Sequence, residues 1–275
     1  MLVPLTDLAD PRVAPYVALR EASLRRTTGN LFIAEGELVV RRALLAGYRA
    51  ASFLLSPRAA ATLADVLPEG VPAYVGDAAT VEALTGFHVH RGALAAMQRG
   101  ERHDPVAIVA GARRLVVVED VVDHANLGAI VRTAAGLGWD GLLVSHGSAD
   151  PLYRRAVKAS MGAVFTLPWA RLDPSVSVRT LLADWSLVAL ALQDGAVDLA
   201  TYAHGVGAAE RVAVMLGTEG HGLSAAWLAA ADAVVTVPMA AGIDSLNVGA
   251  AAAIACYALR PVSPSRAPDR RAASG

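Results

Sequence analysis

The chain has 275 residues, of which 55% are hydrophobic, and a formal net charge of −1. That size suits one large or two modest domains, and that apolar content excludes global disorder. A single cysteine, Cys256, excludes an internal disulfide and argues against a cysteine-based zinc site. The N-terminus, MLVPLTDLADP, carries acids and prolines where a signal peptide would have a basic start and an apolar core, so the expectation is a cytoplasmic protein with no membrane span and no metal. The charge gives no domain-wide basic footprint for nucleic acid, although a local patch is enough to contact phosphates. Of the 24 basic residues only Lys158 is a lysine.

Residues 12–98 alternate helical patterns (14–25, 37–46, 59–67, 78–84) with strand patterns (31–34, 51–55, 71–75), which predicts a small α/β domain. Arg20, Arg25 and Arg26 flank a polar turn, Thr27-Thr28-Gly29-Asn30, with Arg41 and Arg42 soon after. They read either as a solvated helix face or as an RNA contact surface that positions through phosphates. His88, His90 and His103 have no cysteine or clustered carboxylate to complete a metal site. The polar stretch RGERHDP, 99–105, reads as a linker.

From Val106 onward the pattern is that of β/α units. A strand (115–118) ends in a loop with Asp123, His124 and Asn126, and a helix (127–137) closes at Gly138. Arg132 stands in an otherwise apolar face of that helix, so it needs a partner or an anion. GLGWDG, 136–141, matches GxGxxG but closes a helix and opens a strand, the reverse of a dinucleotide fingerprint. Arg154, Arg155 and Lys158 lie on a helix that starts at Pro151. A helix (175–183) and a strand (186–192) lead to the loop Gln193-Asp194-Gly195, at the end of the strand where open α/β sheets bind ligands.

The strand 211–216 then delivers Gly217-Thr218-Glu219-Gly220-His221-Gly222, glycine-rich enough for close backbone approach to a ligand. A last strand (233–237) precedes a loop with Asp244, Ser245 and Asn247. The helix that follows, 248–259, is apolar on every side, so it must be buried, and it is too short to span a bilayer. Ser245 and Asn247 sit where they can cap it. Residues 261–275 read as a disordered tail. No GxSxG elbow, P-loop or HExxH competes for the chemistry.

Three stretches, NLGAIVRTAAGLG (126–138), LGTEGHGLS (216–224) and VPMAAGIDSLNVGAAAAIACYAL (237–259), each run from a strand end through a loop into a helix. In this order they resemble the three motifs of the SpoU (TrmH-like) family of RNA ribose 2′-O-methyltransferases, within the SPOUT superfamily. The matching residues are Asn126 and Arg132; Gly217, Glu219 and Gly222; and Met239, Ser245, Leu246 and Asn247. Thr218 departs from the asparagine of many relatives and leaves Glu219 in register.

The resemblance implies a C-terminal α/β domain over 106–260, with a mainly parallel sheet and a deep trefoil knot. A small domain over 1–98 precedes it, more loosely similar to the L30e fold (FIAEGELVVRRALLAG, 32–47). It implies S-adenosylmethionine as cofactor, held by Leu192 and Gln193, by Leu216, Gly217, Glu219 and Gly220, and by Val237, Met239, Ser245 and Leu246. Arg132, Asn126, Glu219, Ser245 and Asn247 are the implied catalytic group, with Arg132 acting as base or as electrostatic stabiliser. RNA, ribosomal in preference to transfer, is the implied partner, contacted by Arg25, Arg26, Arg154, Arg155 and Lys158. A homodimer is also implied. A non-catalytic RNA-binding protein that keeps the fold is the alternative, and S-adenosylmethionine binding separates the two.

Overall fold

The computed structural model describes residues 1–5, 7–17, 19, 30–87, 89, 92–101, 103–206, 211–240 and 245–261, and the chain is built on two β-sheets. The first holds β1 (Leu2–Pro4), β2 (Leu31–Glu35), β3 (Ala50–Leu55), β4 (Ala73–Val75) and β5 (Ala93–Gln98), in the order β1-β4-β3-β5-β2. Helices α1 (Glu37–Leu45), α2 (Pro57–Thr62) and α3 (Ala78–Thr85) connect them. β5 runs antiparallel to both β2 and β3. Its sequence, ALAAMQ, has no β-branched or aromatic residue, so local propensity gives no strand signal there.

The helix expected over 14–25 is not what its N-terminal part forms. Pro11–Tyr16 is a 3-10 turn, opened by the Asp10 side chain and carrying Pro15 inside it, where proline disfavours an α-helix. Arg20, Arg25, Arg26, His88, His90 and the tail from 262 onward lie outside the described residues.

The stretch expected as a linker is partly built into the fold. Asp104 caps α4 (Pro105–Gly111) by accepting from Val106 N at 2.9 Å, with Pro105 at the first helical position. Arg99 is ion-paired with Asp150 at 2.7 Å.

The second sheet is parallel throughout. Its strands are β6 (Arg114–Val118), β7 (Gly141–Val144), β8 (Trp169–Arg171), β9 (Ser186–Leu190), β10 (Val197–Asp198), β11 (Val212–Leu216) and β12 (Ala233–Thr236), ordered β10-β12-β9-β11-β6-β7-β8. Helices α5 (His124–Gly136), α6 (Arg154–Ala159), α7 (Val178–Leu181), α8 (Leu199–Gly205), α9 (Ala225–Ala230) and α10 (Val248–Ala258) complete it. β6, β7 and β11 are buried at every position, the reason they read as continuous apolar runs. In β11 Val212, Val214 and Leu216 enter one core and Ala213 and Met215 the other.

The chain lays β6, β7 and β8 toward one edge, then returns to place β9 on the far side of β11. The order therefore reverses beside β6 and β11, whose following loops lie together at the C-terminal end of the sheet, where such folds bind ligands.

The last helix is not buried all round. Gly249, Ala252, Ala255 and Cys256 are buried against α5 and α8, whereas Ile254 is 41% and Tyr257 59% exposed. An all-round apolar pattern marks every face to be covered but does not say by what; among the described residues one face stays partly exposed, with the Arg260 guanidinium 3.7 Å from the centre of the Tyr257 ring. The end of α10 is tied down by Trp139 Nε1, donating to Cys256 O at 3.0 Å, and by the buried Arg114, whose Nε donates to Leu259 O at 2.8 Å. Among the described residues no helix is long and apolar enough to cross a membrane.

Candidate active site

Three loops meet at the C-terminal end of the parallel sheet. The first follows β6: Asp123 caps α5 by accepting from Asn126 N at 2.8 Å, which presents the Asn126 side chain outward from the first turn. The second follows β11 and folds back on itself, with Thr218 N donating to Gly222 O at 3.2 Å and Gly222 N to Thr218 O at 3.0 Å. Glu219 stands on this turn. A Cβ at Gly217 would lie 2.1 Å from the Gly222 carbonyl carbon, so only glycine allows the turn to close so tightly. The third loop leads into α10, where Asn247 Oδ1 accepts from Gly249 N at 2.9 Å and from Ala250 N at 3.3 Å.

The three loops are joined by their side chains. Asn126 Nδ2 donates to Glu219 Oε1 at 2.6 Å, and Asn247 Nδ2 donates both to Glu219 Oε1 and to Asn126 Oδ1, each at 2.9 Å. The capping reading and the functional reading of Asn247 thus hold together: its oxygen caps the helix while its amide nitrogen joins the trio. Glu119, at the end of β6, pins the far side of the second loop by accepting from Ser224 N (2.7 Å) and Ser224 Oγ (2.6 Å). Nothing local in the sequence marks Glu119 for this role, because its partner is 105 residues away.

Beside this trio lies a cleft of about 580 Å³, within the range of small-molecule sites. Leu192, Leu216, Gly217, Glu219, Gly220, Val237, Met239, Ser245 and Leu246 all line it, and Gln193 does not. Thr218 and His221 line it too, within a motif already singled out, and so do Leu228 and Ala251. Its walls are apolar at Leu190, Leu216 and Val248 and polar at Thr218, Glu219 and Asn247. Such a mixture fits a molecule with both a flat apolar part and charged ends.

Arg132 stands apart. Six residues beyond Asn126, it lies about 9 Å along the axis and about 240° around the helix. It is exposed, and no ion pair joins it to a described residue. Arg154 and Lys158, expected to contact RNA, are paired with a buried carboxylate: Arg154 Nη1 with Glu35 Oε2 and Lys158 Nζ with Glu35 Oε1, each at 2.5 Å. A charged helix face has the same sequence appearance whether a phosphate or a carboxylate meets it. Arg155 is exposed on the same helix. Among the described residues no group of three or more His, Cys, Asp and Glu is placed to hold a metal ion.

A doubly wound parallel sheet with a cleft at its topological switch, bordered by hydrogen-bonded polar loops, defines a ligand-binding α/β protein. Residues 113–257 match the SpoU rRNA Methylase family, and the chain belongs to that family. It is 41% identical over 261 residues to an uncharacterised tRNA/rRNA methyltransferase of Mycobacterium bovis, covering 91% of this chain and 89% of that one. It is 30% identical over 236 residues to the Bacillus subtilis 23S rRNA (guanosine(2553)-2′-O)-methyltransferase RlmP, covering 86% of this chain and 90% of the relative. The crystal structure of an AdoMet-bound rRNA methyltransferase from Sinorhizobium meliloti superposes with a TM-score of 0.78 at 26% identity, covering 94% of this chain and 97% of that one. The protein is thus an RNA methyltransferase of the SpoU family, and S-adenosylmethionine is its methyl donor.

Proposed function

We propose that the protein methylates a ribose 2′-hydroxyl in RNA, with ribosomal RNA as the substrate. The observation that carries this reading is the convergence of Asn126, Glu219 and Asn247, from three separate loops, on one hydrogen-bonded trio at the rim of the cleft. The 23S ribose specificity of the B. subtilis relative supports the choice of hydroxyl and of RNA.

S-adenosylmethionine, when bound, supplies a methyl group on a cationic sulfur that is already activated toward an oxygen nucleophile. The protein is left with alignment of the hydroxyl and management of its proton and charge. The backbone of the loops around Leu192, Gly217 and Val237 forms the seat for the cofactor, with Met239, Ser245 and Leu246 closing it. Asn126 and Asn247, oriented by Glu219, hold the ribose. On the family resemblance Arg132 serves as a donor to the 2′-oxygen as charge develops there and to a neighbouring phosphate.

The apolar face of α10 is the proposed contact of a homodimer. Ile254 and Tyr257 are exposed on the helix that follows the cleft-forming loop, and exposed apolar side chains of this kind are what a two-fold dimer can cover. The trefoil knot and the RNA-binding role of the N-terminal domain complete the proposal, on the family resemblance.

Mapping of ribose methylation in ribosomal RNA from cells with and without the protein tests the reading. One position protected from alkaline cleavage only when the protein is present is the expected result. Identical maps, with purified protein that binds S-adenosylmethionine, would move the substrate to another RNA.

A further inference from the structure

The two sheets do not meet as independent bodies. β2 is an edge strand of the first sheet, and α6 of the second unit packs along it. An open edge is normally covered or charged, and here the other unit covers it. The junction also buries charge reciprocally. Glu35, at the end of β2, has a side chain only 1% exposed and is held by Arg154 and Lys158 from α6. Asp150, from the second unit, is 7% exposed and receives Arg99 from the first. Arg42 Nη1 donates to Met161 O at 2.6 Å, and the Arg154 guanidinium lies 4.4 Å from the centre of the Phe87 ring. Phe32 and Tyr48 pack on Phe165, with centroids 5.7 and 5.0 Å away.

α6 in turn is seated on α5. A Cβ at Gly128 would stand 2.5 Å from Ala156 O and 2.6 Å from the Ala159 Cβ, so the two helices meet at backbone distance, two residues from Asn126. A continuous packed path therefore runs from β2 through α6 to the helix that presents the first member of the polar trio. A carboxylate that is buried and satisfied by two cations from another unit resists sliding, because any displacement strands charge away from water.

We propose that Glu35 is a positioning residue: with Arg154 and Lys158 it makes a fixed joint that holds the N-terminal domain at one distance and angle from the methyl-transfer site. An RNA bound across both units then presents one nucleotide to the trio, and the joint sets which one. This rests on the RNA methylation reading given above.

The joint is tested first without activity. Paired spin labels at Glu69→Cys and Asp184→Cys, both exposed positions, report the distance between units, while the buried Cys256 stays unlabelled. One narrow distance distribution is expected, broadened by Glu35→Gln and by the Arg154→Met/Lys158→Met double variant. Lys158→Met, at a half-exposed position, gives the same test if Glu35→Gln does not fold. The second arm compares a full-length large-subunit ribosomal RNA transcript with a short hairpin around the methylated nucleotide. Glu35→Gln should lower kcat/KM on the long RNA by about tenfold or more while leaving the hairpin and the affinity for S-adenosylmethionine unchanged. An unchanged distance distribution overturns the joint. A broadened distribution with an equal loss on both RNAs overturns the positioning role. Wild-type protein that methylates neither RNA refutes the methylation reading and with it the choice of nucleotide, while the distances still decide whether the joint is rigid.

Discussion

The polar trio at the cleft and the ionic cluster between the two sheets each join three side chains, and they are built in opposite ways. The trio Asn126, Glu219 and Asn247 lies at the rim of an open cleft and joins loops by amide and carboxylate hydrogen bonds. The cluster Glu35, Arg154 and Lys158 has its carboxylate in the interior and is made of full charges. Water can replace a lost bond in the first, so its loss costs little stability; in the second a lost partner leaves charge in a poor medium. The first is therefore suited to orienting a reactant and the second to fixing a frame.

Gly217→Val gives the largest effect on the first cluster. The side chain would meet the Gly222 backbone, the second loop would open, and binding of S-adenosylmethionine should fall below detection by calorimetry while the far-ultraviolet spectrum stays native. Retained binding would show that the tight turn is not part of the cofactor seat. Arg132→Ala should act on turnover alone, lowering the single-turnover rate by about 10²–10³, the usual loss for one preorganised donor to a developing anion. A wild-type rate would remove Arg132 from the chemistry.

A direct contrast comes from deleting the two carboxylates. Glu35→Ala should cost about 2–3 kcal/mol in urea unfolding, because it takes the partner from the part-buried Arg154 and the half-exposed Lys158 and leaves a void where the carboxylate was buried. Glu219→Ala should cost only about 1 kcal/mol, since the freed amides face the cleft, yet reduce turnover more than any loss of stability explains. Equal stability costs would erase the distinction drawn between the clusters. The smallest effect concerns Cys256, where burial pushes the thiol pKa up to about 12. At pH 8 thiolate is then scarce, and a thiol reagent should leave native protein unmodified while reacting once it is unfolded. Rapid modification of the native state would show that α10 frays.

The same contrast explains what the sequence revealed. The trio's residues each sit in a short motif that joins strand end, loop and helix start, and the resemblance of those three motifs to the SpoU family is what implied that they share one site. Most of the cleft followed for the same reason, and Gln193 missed it by one position beyond Leu192. The joint left no local trace: Glu35 is 119 residues from Arg154 and 123 from Lys158, and nothing near any of them marks the pairing. β5 was hidden because alanine and methionine do not announce a strand, even in the middle of a sheet. The uncovered side of α10 was read as interior because an apolar residue awaiting a partner and one in a core have the same sequence signature.

The central claim is that the polar trio and its cleft direct a methyl group to a ribose oxygen. The most direct measurement incubates purified protein and isotopically labelled S-adenosylmethionine with a ribosomal RNA transcript, digests the RNA to nucleosides and locates the label by mass spectrometry. The account predicts label on the sugar of one nucleoside, in a dinucleotide resistant to alkali, and its loss with Glu219→Ala. Label on a base, or sugar label undiminished by Glu219→Ala, would contradict it.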